Sequence, residues 1–106
     1  MKYLALLISL NCSAAQLDFE RQPPADWPML RYHLYLVTAD EMRILCPIRQ
    51  LVYGCAVPLF AAGKCLVFLR ENDEQLRNHE LWHCIGIDHV GENTMRDAWI
   101  KFKGER

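Results

Sequence analysis

The sequence predicts one small α+β domain, and three observations lead to that class. The chain has 106 residues, 52% of them hydrophobic, with a formal net charge of −1, a size and balance suited to a single core. Residues 31–37, 51–57 and 64–70 are rich in aromatic, β-branched and aliphatic side chains and read as strands. Residues 38–45, 72–85 and 96–103 carry capping residues or helical spacing and read as helices. The order strand, helix, strand, strand, helix, loop, helix is that of an α+β domain. The near-neutral charge argues against the broad basic surface that nucleic-acid binding needs. There is no internal repeat, low-complexity tract or linker.

Residues 1–15 are expected to be a signal peptide rather than part of the fold. Lys2 supplies a positive charge, residues 4–10 are a short apolar run, and Ser13-Ala14-Ala15 is a small-residue cleavage site. The run is too short to span a bilayer, so no stable membrane anchor is expected after cleavage. Gln16 becomes the N-terminus of a domain covering 16–106, in the periplasm or the medium.

Residues 16–28, with Pro23, Pro24 and Pro28, read as an extended arm. In the strand at 31–37, alternation puts Tyr32, Leu34 and Leu36 on one face. His33 falls on the other, as a surface histidine rather than a metal ligand. Thr38-Ala39-Asp40-Glu41 is a capping-box pattern opening a helix to about Leu45, which Pro47 ends. The strands at 51–57 and 64–70 flank a turn containing Gly63, and Pro58 marks the first of them as an edge strand. Asn72 is the expected N-cap of the next helix, with Asp73 and Glu74 in its first turn and its end near Ile85. In the closing helix, Trp99 and Phe102 share a face that packs on the core.

Cysteine usage agrees with export. Without Cys12, the chain holds Cys46, Cys55, Cys65 and Cys84, an even number that should form two disulfides in an oxidising compartment. Three pairings are possible, among them Cys55 facing Cys65 across the hairpin. Cys46–Cys55 with Cys65–Cys84 is preferred, because the second bridge ties the helix at 72–85 to the strand before it. In so small a domain, such staples supplement a marginal core.

That helix carries His79-Glu80-Leu81-Trp82-His83-Cys84-Ile85-Gly86-Ile87-Asp88-His89, or H-E-x-x-H-x-x-G-x-x-H. His79 and His83 are four apart and so share a helical face, close enough to bind one metal ion. Glu80 lies about 100° round the axis, where it reaches a water on the metal without ligating. Gly86 lets the chain turn through a left-handed conformation, which brings His89 back as a third ligand. Three neutral imidazoles with one open position is the arrangement of a catalytic zinc site. The predicted metal ligands are therefore His79, His83 and His89, the metal Zn2+, and the catalytic residue Glu80.

The motif resembles that of the metzincin clan of zinc metallopeptidases, in which it is followed by a methionine-containing turn beneath the metal. Met95, in Gly91-Glu92-Asn93-Thr94-Met95, is the matching candidate, and the resemblance covers about residues 64–95. It implies a minimal zincin-like domain, a small sheet packed on a zinc-binding helix. It also implies that the edge strand at 51–57 takes an extended peptide, and that Met95 packs under the metal without ligating.

The expected function is secreted peptide-bond hydrolysis. A metal-activated water would attack the carbonyl of a peptide or protein substrate, with Glu80 as general base. A monomer is expected, with no nucleic-acid partner. Two other readings stand beside this one. Residues 83–89 also resemble the H-x5-H half of bacterial rRNA-maturation endoribonucleases, which bind zinc through H-x3-H-x5-H. Those proteins usually have glycine where this chain has Glu80 and are cytosolic. The third reading is a zinc-binding module with little activity, which the small size supports.

Overall fold

The computed structural model describes residues 16–46 and 53–105. The expected signal peptide, Pro47, Leu51 and Val52 lie outside the described residues. Three strands form one sheet in the order β1-β3-β2: β1 (Arg31–Leu36), β2 (Gly54–Leu59) and β3 (Lys64–Leu69). The central strand β3 runs parallel to β1 and antiparallel to β2. Helix α1 (Ala39–Leu45) follows β1, α2 (Glu74–Cys84) follows β3, and α3 (Thr94–Gly104) closes the chain. This is an α+β fold.

The near-continuous apolar run of β3 follows from its burial on both faces. Cys65, Val67 and Leu69 point to one side, where they pack with Cys84 of α2 and with Leu34, Leu76 and Leu81. Phe68 points to the other, against Met42 of α1, Cys46, Leu66 and Val57. One disulfide staples each side: Cys65–Cys84 joins β3 to α2, and Cys46–Cys55 joins the end of α1 to β2. This is the preferred pairing, and it is compatible with an extracellular location. Among the described residues no helix is long and apolar enough to cross a membrane.

Local signals account for much of this. Thr38 and Glu41 form the reciprocal capping box of α1. Pro58 sits in β2, an edge strand as expected, opposite Cys65. Trp99 and Phe102 stack and meet Phe60 in an aromatic cluster with Trp27.

Three expectations need correction. The N-cap of α2 is Asp73, not Asn72: Asp73 Oδ1 accepts from the Leu76 amide, while Asn72 Oδ1 accepts from Arg77 Nη1. The closing helix starts two residues before the expected Arg96 because Asp88 accepts from the backbone N–H groups of Met95 and Arg96. A cap donated from so far upstream leaves no local pattern. His33 is not a surface histidine but half-buried, with Nε2 wholly shielded from solvent. His33 pairs with Leu66 on the side of the sheet that carries the Met42–Phe68 cluster, so alternation does not point it to water.

Candidate metal centre

The segment that follows α2 builds the site. Ile85 closes the helix, and Gly86 adopts φ 95°, as its role in the turn requires. A Cβ at Gly86 would lie 2.9 Å from the Trp27 ring and 3.0 Å from Pro23. The arm at 16–28 is therefore no free tail but a strap over this turn. Trp27 Nε1–H donates to the Cys84 carbonyl at 3.0 Å. Leu17 bridges to His89, with the Asp18 amide donating to Asp88 O at 2.9 Å and the Val90 amide to Gln16 O at 3.0 Å. The strap and Asp88 thus fix the backbone on both sides of the third histidine.

His79, His83 and His89 converge as the motif spacing requires. Their ligand atoms lie within 4.8 Å of one another, in a group that could hold a metal ion. His89 Nε2 is 3.0 Å from His79 Nε2 and 3.2 Å from His83 Nε2. The outer nitrogens set the tautomers. His83 Nδ1 is 2.6 Å from the Ile87 carbonyl, which can only accept, so Nδ1 carries the proton and Nε2 presents a lone pair. His89 Nδ1 is 3.1 Å from Glu92 Oε1 and donates in the same way. Burial, together with the neighbouring His83 and His89, pushes His79 down to about 4. Burial also lowers His83. Three imidazoles that bring one ring nitrogen each to a common point suit a divalent cation, so the donor set fits the metal that the motif predicts.

Glu80 is 5% exposed and makes no hydrogen bond or ion pair with a described residue. Burial pushes its carboxyl up to about 7. The edge strand crosses directly over it: a Cβ added to Gly54 would lie 3.0 Å from Glu80 Oε2 and 2.9 Å from Leu76 Cδ1. Met95 is buried in the first turn of α3, held by Asp88 through its amide.

Gly54, Asp88, Glu92 and the strap are the parts that sequence reasoning passed over. Only Glu92 left a local signal, as an acceptor three residues after a ligand. Compared with known proteins, the chain matches no family model, no curated protein and no solved structure.

Two results are expected here. Glu92→Ala should weaken metal binding about tenfold to a hundredfold, the usual effect of losing a ligand's outer partner. Chelator competition reads this directly, and an unchanged affinity would mean that water orients His89 equally well. Gly54→Ala should keep the metal but displace the Glu80 carboxylate, lowering any turnover by up to about 10²-fold, the effect of a misplacement near 1 Å. The overpacking should also cost about 1–3 kcal/mol of stability. A variant that matches the wild type in both melting and rate would show that the strand yields instead.

Proposed function

We propose that this protein is a secreted zinc-dependent peptidase. The observation that carries this reading is a buried carboxyl with no hydrogen bond or ion pair among the described residues, Glu80, next in sequence to one of three converging histidines and beneath an edge strand. Zinc is the metal that best suits three imidazole nitrogens and an open position, and when bound it acidifies water and polarises a carbonyl. His79, His83 and His89 would hold it. Glu80 accepts the proton of a water as its oxygen bonds to the peptide carbonyl carbon, then returns that proton to the nitrogen as the C–N bond breaks.

The strand β2 supplies the means of holding a substrate. The Arg70 amide donates to the Tyr53 carbonyl, so Tyr53 and alternate residues after it pair inward with β3. The N–H and C=O groups of Gly54 and Ala56 then point to the open edge, whereas Pro58 offers a carbonyl alone. An extended peptide adding to this edge forms main-chain hydrogen bonds at the strand segment that crosses Glu80. The two disulfides accord with an exported protein.

The test is hydrolysis of an unbiased peptide library by the oxidised protein before and after chelation. Cleavage should disappear with the metal and return with added zinc. A metal-replete, folded protein that cleaves no peptide would favour a binding module, and RNA cleavage would favour the endoribonuclease reading.

A further inference from the structure

The sheet has a second open edge, and it is built differently from the one over Glu80. The amides of Arg31 and Val37 donate to Gly63 O and Leu69 O, so the odd-numbered residues of β1 pair inward with β3. Successive backbone groups alternate in direction, which leaves the N–H and C=O groups of Tyr32, Leu34 and Leu36 pointing outward. Among the described residues nothing pairs with them. Natural edges are usually blunted by lysine, proline, a bulge or a covering element. Between Arg31 and Thr38 there is no Lys, Arg, Asp, Glu, Pro or Gly. Helix α2 packs on β2 and β3 and leaves Tyr32 at 56% and Leu36 at 60% exposure on that side.

We propose that β1 pairs with β1 of a second copy of this chain, antiparallel about a twofold axis at Leu34. The register is self-complementary. Leu34 meets Leu34 and Tyr32 meets Leu36, each as a hydrogen-bonded pair, giving about six main-chain bonds at two per pair. The Tyr32–Leu36 contact is an aromatic–aliphatic cross-strand pair that covers the two exposed side chains. With no formal charge on residues 32–37 other than what His33 can carry, the two strands meet without like-charge opposition. The two three-stranded sheets become one continuous sheet, and both β2 edges stay open at its ends.

Sedimentation and hydrogen exchange on the oxidised, metal-loaded protein test this together. The mass should rise to that of a dimer between about 1 µM and about 100 µM, the range over which dimers of micromolar affinity form. The amides of Tyr32, Leu34 and Leu36 should become protected over the same range, while those of Gly54 and Ala56 should not. A Tyr32→Lys, Leu36→Lys double variant places lysine against lysine in this register and should raise the dissociation constant at least about tenfold. Ile100→Lys, at a similarly exposed apolar position on α3, should leave it unchanged. A wild type that stays monomeric, or a dimer whose three edge amides exchange freely, overturns the proposal. Should the double variant not fold, exchange in the wild type decides alone.

Discussion

Replacing Glu80 with glutamine is expected to leave the three-histidine site loaded and to lower peptide turnover by about 10²–10⁴-fold, the contribution of a general base. In the metal-free chain, burial pushes the Glu80 carboxyl up to about 7. Glutamine has nearly the same shape but cannot take up a proton. The same substitution should have a second effect with a definite sign. The folded carboxyl titrates above its ordinary value of 4.5. Its contribution to stability is therefore present below about pH 4.5 and lost as pH rises through about 7. For a buried group shifted this far, the loss in metal-free protein amounts to roughly 3 kcal/mol by about pH 8. Glu80→Gln has no such loss, so without metal it should resist denaturant better than wild type at about pH 8. A cation held by the histidines draws the carboxyl back down and narrows the difference. Denaturant midpoints near pH 5 and pH 8, with library turnover, separate lost proton transfer from lost fold. Unchanged turnover in a metal-loaded variant would remove Glu80 from the mechanism.

What could be read from the sequence was what depends on near neighbours. The i, i+4 histidines, Gly86 in its left-handed turn and the Thr38–Glu41 box each rest on contacts within one turn of chain. Pro58 marked an edge because a missing donor is a property of one residue. The strap was not legible, since Trp27 reaches Cys84 across 57 residues and Arg96 reaches Gln22 across 74. A proline-rich stretch announces extended backbone but not what it lies against. His33 was misread for a related reason: alternation assigns a residue to a face, and only the fold shows that the central strand carries a core cluster on each of its faces. Gly54 carried no signal either, because its importance lies in the side chain it would drive into Glu80.

Replacing His89 with alanine is expected to weaken metal binding more than any change around the site, by more than the ten- to hundredfold that loss of an outer partner causes. It removes one of three ligand atoms, and it is the ligand whose Nε2 approaches both of the others, at 3.0 and 3.2 Å. Removing it leaves two donors on one helix, which cannot enclose a tetrahedral ion. His79→Ala should do the same and should also change how the metal-free protein responds to acid. His79 titrates near 4 in the folded chain against an ordinary 6.5, so its contribution is present above about pH 6.5 and lost as pH falls through about 4. Metal-free wild type should therefore lose stability across that window, and His79→Ala should lose less. His33→Ala is the control. His33 lies on β1, outside the group that converges, so its loss should lower the melting temperature through packing and leave the metal in place. Metal content by atomic absorption, chelator competition and melts of all three variants give the answer. Full occupancy in His89→Ala with loss in His33→Ala would overturn the ligand assignment, and with it the peptidase reading.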